Sequence, residues 1–313
     1  MEKDTKIFVA GHRGLVGSAI VRQLQAQGFN NLVLKTRAEL DLLNQAAVDT
    51  FFKDENIAYV FLAAAKVGGI MANREQPADF IYENLQIQNN IIAAAYKYKI
   101  KKLLFLGSSC IYPRDCAQPI KEEYLMTGEL ESTNDAYALA KIAGIKMCQS
   151  FNKQYGTNFI SVMPTNLYGP QDNFDLVSSH VLPALIRRFY EAKKNNLSAL
   201  TLWGSGVAKR EFLHVDDLAE AVIYLMNNYD DGAIVNIGTG EDLSIKDLAL
   251  KIKKLIGYDG EIIWDTTKPD GTPRKLLDVA KINSLGWKYK IALDDGLKTT
   301  ISWFEKNYDN IIK

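Results

Sequence analysis

A chain that runs from Ile7-Phe8-Val9-Ala10 straight into Gly11-His12-Arg13-Gly14-Leu15-Val16-Gly17 has few folds open to it. Four apolar residues in a row read as a buried strand. The glycine loop is followed by an amphipathic helix to about Gln27, with Val16, Ala19, Ile20 and Leu24 on its apolar side. A glycine loop between a strand and a helix N-terminus presents backbone N–H groups and a positive dipole end to a pyrophosphate. The spacing is G-x-x-G-x-x-G rather than G-x-G-x-x-G. A tight turn would also use glycines, but the strand–loop–helix context favours a dinucleotide.

The next strand, Leu32-Val33-Leu34, leads into Lys35-Thr36-Arg37. A site for NAD usually places a carboxylate near this strand end for the ribose 2′-OH. Here the position is basic, and Arg13 in the glycine loop is near enough to join it. Two guanidiniums suit a 2′-phosphate, so NADP is expected over NAD; the competing reading is a pair of solvated surface arginines. Tyr59-Val60-Phe61-Leu62 is a third strand, followed by the small residues Ala63-Ala64-Ala65. A long helix from Pro77 to about Tyr98 comes next.

Leu103-Leu104-Phe105-Leu106 is a central buried strand that stops at Gly107 and passes to Ser108-Ser109-Cys110 before Pro113 ends any extension. Open α/β sheets bind ligands beyond the carboxyl ends of their strands, which is where these side chains fall. Downstream, a helix from Asp135 to about Tyr155 carries Tyr137 and Lys141, four residues apart and so on one face. Ser108, Tyr137 and Lys141 together point to a proton-delivery site for carbonyl reduction. Phe159-Ile160-Ser161-Val162-Met163 is a further strand. Strand and helix thus alternate over the first 165 residues, the pattern of a doubly wound parallel sheet in an α/β fold.

Beyond Pro170 the pattern loosens. Residues 172–179 are polar, and His180-Val181-Leu182-Pro183 opens a helix with Arg187 and Arg188. Trp203-Gly204-Ser205-Gly206 reads as a turn with an exposed aromatic. Phe212 to Asp217 reads as a capped helix start near Asp216 or Asp217, with the helix reaching Met226. Ile234-Val235-Asn236-Ile237 returns to the sheet, and short helices alternate with polar loops after it. The expected organisation is a dinucleotide-binding Rossmann domain from 1–165 and about 212–238, and a smaller discontinuous substrate domain from about 166–211 and 239–313.

Charge narrows the partners. Lys plus Arg number 37 and Asp plus Glu 37, so no basic excess points to nucleic acid or a membrane surface. No apolar run approaches a membrane span, and no signal-peptide region precedes the first strand. Three cysteines, Cys110, Cys116 and Cys148, read as reduced thiols in a cytoplasmic protein. No metal site is expected.

The glycine loop, Ala63-Ala64-Ala65-Lys66-Val67-Gly68-Gly69, Leu106–Pro113, Met163–Pro170 and Lys268-Pro269-Asp270-Gly271-Thr272-Pro273-Arg274-Lys275 give the chain a resemblance to the extended short-chain dehydrogenase/reductase family over nearly its whole length. Within that family it resembles the bifunctional epimerase-reductases that convert GDP-4-keto-6-deoxy-D-mannose to GDP-L-fucose. The resemblance implies a reductase triad of Ser108, Tyr137 and Lys141, and an acid/base pair of Cys110 and His180. It implies NADP(H) contacts at Gly11, His12, Arg13, Gly14, Leu15, Val16, Gly17, Thr36, Arg37, Ala38, Glu39, Leu40 and Asp41. The same resemblance adds Leu106, Gly107, Ser108, Ser109, Lys141, Pro164, Thr165, Asn166, Leu167 and His180 to the cofactor set. Substrate contacts are implied at Arg188, Trp203, Arg210 and Asp270, and a homodimer through a helical bundle. Dehydratases of the family carry an Asp-Glu pair where this chain has Ser109-Cys110, and 4-epimerases retain their cofactor and prefer NAD.

These residue types suit the implied chemistry. A ketone at C4 acidifies the protons at C3 and C5, and inversion needs a base on one face and an acid on the other. Thiols and imidazoles titrate near neutrality, and a nearby ammonium favours phenolate at a tyrosine. Each residue also has a plainer reading: Cys110 as a small packed hydrophobe, His180 as a helix cap, Trp203 as a packing aromatic and Asp270 as a turn residue. A non-catalytic NADP-binding regulator would keep the glycine loop but has no need of Tyr137 and Lys141.

Overall fold

The structure, a computed structural model, describes residues 1–268 and 270–312; Pro269 of the Lys268–Lys275 segment lies outside them. In chain order the first part comprises β1 (Ile7–Ala10), α1 (Leu15–Ala26), β2 (Leu32–Val33), α2 (Gln45–Glu55), β3 (Tyr59–Leu62) and the short α3 (Ile70–Glu75). It continues with α4 (Pro77–Lys97), β4 (Lys102–Leu106), α5 (Asp135–Tyr155) and β5 (Phe159–Pro164). These strands and Val235–Ile237 form one six-stranded sheet, in the order Val235–Ile237, β5, β4, β3, β1, β2. Every pairing in it is parallel. The chain steps from β1 outward to β2 and then back to lay β3 on the other flank of β1. That reversal opens a crevice at the strands' carboxyl ends.

Strand alternation divides the core between the two faces of the sheet. Phe8, Val60, Leu62, Leu103 and Phe105 pack with Phe52 of α2, Ile91 of α4 and Ile145 of α5. Ile7, Val9, Phe61, Leu104 and Val162 pack against Ile20 and Leu24 of α1 and against Leu218 and Val222 of a helix at Val215–Asn228. Each large side chain buried in this way stabilises the fold by about 1.5–3 kcal/mol.

A third cluster stands apart from the sheet. It joins Ile186 and Phe189 of α6 (Val181–Lys194) to Leu248 and Ile252 of the Ile245–Ile256 helix and to Leu297, Ile301 and Phe304 of the Leu293–Ile311 helix. The last two helices have 12 and 19 residues, longer than the short helices expected after the sheet. Their apolar residues recur at helical spacing, Leu248 and Ile252 in one and Leu297, Ile301 and Phe304 in the other, among short runs of polar residues. Two further expectations change. Phe212–His214 is a strand paired with Asn166–Tyr168, not the start of a helix. The cap of the following helix is His214, whose Nδ1 accepts from the Asp216 N–H at 3.3 Å, with Asp216 and Asp217 in the first turn.

Candidate active site

A cavity of about 800 Å³ opens at the carboxyl ends of β1, β3, β4 and β5. At one end the glycine loop forms its floor. Gly11 has φ +84°, and a Cβ there would stand 2.8 Å from the Ala64 nitrogen. A Cβ on Gly17 would stand 2.1 Å from the Gly11 carbonyl oxygen. Only glycine permits these approaches. α1 starts immediately after Gly14, and no side chain caps it, so its first-turn N–H groups remain for an anion. The loop therefore fits a dinucleotide pyrophosphate.

Arg37, Leu40 and Asp41 line the same end of the cavity, together with Gly11, Gly14, Leu15, Val16 and Gly17. His12, Arg13, Thr36, Ala38 and Glu39 stand beside this wall. Arg37 is exposed, with its Nε 4.0 Å from Asp41. Glu39 accepts from the Thr36 N–H at 2.8 Å and the Thr36 hydroxyl at 2.7 Å, which hold its carboxyl below the usual range.

At the other end, β4 delivers Leu106, Gly107, Ser108, Ser109 and Cys110 to the cavity. Ser108 Oγ accepts from the Cys110 N–H at 3.1 Å and so caps a 3-10 turn at Ser109–Ile111. That bond uses an acceptor lone pair and leaves the Ser108 hydroxyl proton free. α5 begins at Asp135, placing Tyr137 and Lys141 one above the other across from Ser108. The buried Lys141 Nζ donates to the Leu106 carbonyl at 2.8 Å and lies 5.9 Å from the Tyr137 ring centroid. Burial lowers Lys141 from 10.5 to about 8. Burial raises the Tyr137 phenol above its ordinary value, Cys110 adds to the rise, and the Ser108 hydroxyl draws it partly back. A phenol that keeps its proton is suited to donating one.

Cys110, His180 and the Pro164, Thr165, Asn166 and Leu167 segment complete this end. Burial would raise the Cys110 thiol; the Lys275 ammonium, with help from Ser108 and Arg210, reverses the effect, and the thiol lies below its ordinary value. His180 precedes α6 but makes no side-chain capping bond, so a capping role does not account for it. It is exposed at the cavity mouth, and desolvation there, with Lys275 second, lowers its imidazole.

Arg188, Trp203, Arg210 and Asp270 are not among the residues lining the cavity, although the Arg210 charge bears on Cys110. The Arg188 guanidinium lies 6.0 Å from the Trp203 ring centroid, and Lys268 Nζ lies 5.6 Å from it. Asp270 accepts from the Ser205 N–H at 2.9 Å and the Ser205 hydroxyl at 2.6 Å. Arg210 donates to the Thr272 carbonyl at 2.6 Å. Sequence reasoning missed Asn134 and Asp172 on the cavity wall, and Lys275, whose charge bears on the Cys110 thiol. Lys275 stood inside the Lys268–Lys275 motif, but nothing local distinguishes it from a surface lysine.

Residues 7–238 match the model of the NAD dependent epimerase/dehydratase family. The chain belongs to that family. Among the family's members it is 61% identical over 307 residues to an Arabidopsis thaliana protein named putative GDP-L-fucose synthase 2, covering 98% of this chain and 94% of that one. It is 55% identical to the Escherichia coli GDP-L-fucose synthase, covering 97% of this chain and 98% of that one. A solved structure of a GDP-mannoheptose C4 reductase from Campylobacter jejuni with NADP bound matches with a TM-score of 0.90 at 47% identity, covering 97% of this chain and 99% of that one. The doubly wound sheet is the fold shared with that solved structure. Among the described residues, no helix is long and apolar enough to cross a membrane.

Proposed function

We propose that this protein is a GDP-L-fucose synthase, converting GDP-4-keto-6-deoxy-D-mannose to GDP-L-fucose by 3,5-epimerisation and NADPH-dependent reduction at C4. The observation that carries the reading is one cavity wall holding Ser108, Tyr137 and Lys141 together with Cys110 and His180. Its chain is 55–61% identical, nearly end to end, to proteins bearing that name.

Cys110 and His180 serve the epimerisations, one removing a proton beside the ketone and the other returning one to the opposite face. For the reduction, NADPH supplies hydride to C4 when bound. Tyr137 gives its proton to O4, and Ser108 orients that oxygen with its free hydroxyl proton. Lys141 favours loss of the Tyr137 proton as the alkoxide forms, because its ammonium offsets the phenolate charge. Arg37 and Arg13 face the cofactor 2′-phosphate, Arg188 and Arg210 face the GDP diphosphate, and Trp203 stacks on the base.

The sheet and its two flanking cores are the cofactor domain, and the third cluster is the core of the substrate domain. A homodimer through α4 and α5 is in keeping with the exposed Tyr82, Tyr96, Leu139 and Tyr155 on those helices, where Tyr96 and Tyr155 stack at 4.2 Å. Three free cysteines are in keeping with the cytoplasm.

The test is incubation with GDP-4-keto-6-deoxy-D-mannose and NADPH in heavy water. Deuterium at C3 and C5 of a GDP-L-fucose product is the expected result. NADPH consumption with no deuterium at either carbon would leave a plain C4 reductase.

A further inference from the structure

Lys209–Arg210 is the middle strand of a three-stranded sheet. Leu243–Ser244 pairs with it antiparallel and Arg274–Lys275 pairs with it parallel, so that Leu243 and Lys275 both stand opposite Arg210. The next residue, Glu211, is fully buried, and its side chain holds both flanking strands. Oε1 accepts from the Thr239 N–H at 2.6 Å and the Gly240 N–H at 2.8 Å, just before the strand of Leu243. Oε2 accepts from the Leu277 N–H at 3.0 Å, just after the strand of Lys275. The space for this carboxyl is tight: a Cβ on Gly238 would stand 2.2 Å from Oε1. The Glu211 carbonyl serves a further segment, accepting from Asn166 Nδ2 at 2.8 Å and from the Thr165 hydroxyl at 3.4 Å, and both of those residues line the cavity. One residue thus joins the cavity wall, the Arg210 strand and both of that strand's neighbours. Arg210 Nη1 donates to the Lys209 and Thr272 carbonyls at 2.7 and 2.6 Å, and among the described residues no carboxylate pairs with the guanidinium.

We propose that Glu211 is a positioning residue for the GDP-sugar: by tying the two strands that flank Arg210 to each other and to the cavity wall, it holds the Arg210 guanidinium in place for the diphosphate. The inference rests on the reading of Arg210 as a diphosphate contact given above. Burying a carboxyl is costly unless donors meet its oxygens, and packed apolar side chains would also hold three strands together. What the carboxyl adds is direction, because each oxygen must keep its own N–H groups in line. A guanidinium fork held in its bound orientation has less ordering left to do when the anion arrives. Glu211 is not among the residues lining the cavity, so it acts on the substrate through Arg210 and leaves the proton transfers alone.

The experiment titrates GDP by calorimetry into the full-length protein loaded with NADPH, and measures KM and kcat for the keto sugar beside it. Glu211→Gln exchanges one acceptor oxygen for an amide donor, so the N–H groups on one flank lose their partner. The gentler Gly238→Ala keeps the carboxyl and pushes it aside. Each variant should weaken GDP about tenfold and raise KM by a similar factor, while kcat changes by less than about threefold and NADPH affinity persists. In an Arg210→Ala background, Glu211→Gln should weaken GDP no further. Loss of NADPH binding in Glu211→Gln marks a misfolded protein, and Gly238→Ala then decides. Wild-type GDP affinity in a variant that binds NADPH overturns the proposal. So does an undiminished effect in the Arg210→Ala background, which would make Glu211 a general structural anchor. Unchanged GDP affinity in Arg210→Ala alone overturns the reading of Arg210 and the proposal with it. GDP binding reads Glu211 whether or not the keto sugar is turned over, so a failure of the synthase reading shows separately, as no turnover by wild type.

Discussion

Lys141→Met should make the apo protein more stable at neutral pH while removing the reductase. Lys141 is 4% exposed, and burial lowers its pKa from 10.5 to about 8. The difference, 10.5 minus 8, is about 2.5 units, so holding the charge indoors costs on the order of 3 kcal/mol. Two favourable contacts offset part of this. The bond to the Leu106 carbonyl, 2.8 Å long, contributes about 1 kcal/mol. The ammonium also sits 4.9 Å from the Phe105 ring centroid, a cation–π contact of about 1 kcal/mol. A net gain of about 1 kcal/mol remains for Met. The sign fixes the pH window. The folded pKa lies below the unfolded one, so the unfolded chain holds the proton more tightly. The penalty is complete below about 8 and fades as pH rises from about 8 towards 10.5. Urea unfolding of both proteins at neutral pH and at a pH above 8 reads the trend. Lys141→Met should lead at neutral pH, and wild type should close the gap as pH rises. Reduction should fall by at least about 100-fold. A stability difference that does not change with pH would refute the buried charge as its cause.

Further outcomes are equally specific. Tyr137→Phe should abolish NADPH oxidation by the keto sugar and preserve deuterium entry at C3 and C5; wild-type reduction would give the O4 proton to another group. Cys110→Ser should keep NADPH binding and lose most exchange at one or both carbons, and wild-type exchange there would make Cys110 a packing residue. Arg37→Ala should weaken NADPH at least about tenfold more than NADH, a loss of about 1.4 kcal/mol; an equal effect on both, measured by fluorescence titration, would reject the 2′-phosphate contact. Gly17→Ala pushes a Cβ to 2.1 Å from the Gly11 oxygen, so the loop must open, at a cost of about 1–3 kcal/mol. NADPH affinity should drop with it, and an unchanged affinity would show that the loop tolerates the shift.

What the sequence could reveal was set by the range of the interaction concerned. The glycine loop is legible because its glycines fall at fixed spacing between a strand and a helix, where Gly17 must pass close to the Gly11 carbonyl oxygen six residues away. Tyr137 and Lys141 are legible because helical spacing alone puts them on one face, and α5 runs over the expected residues, Asp135–Tyr155. Lys275 is different: its strand is placed by a parallel pairing with Arg210 and a bond from Leu277 to Glu211, both formed between distant stretches of chain. No period or spacing encodes such a meeting. The Leu293–Ile311 helix escaped for a related reason, since Leu297, Ile301 and Phe304 declare a face only once a third core is known to lie against them.

The tie between Glu211 and Leu277 has a consequence for how the chain comes off the ribosome. The last strand of the large sheet ends at Ile237, so the sheet has all its strands once residue 237 has been made, forty residues before Leu277. Until Leu277 emerges, Glu211 lacks one of the N–H donors it has in the finished molecule. Holding a carboxylate in an apolar interior with a partner missing is costly. During synthesis Glu211 is thus made well before the N–H group of Leu277 that completes its partners.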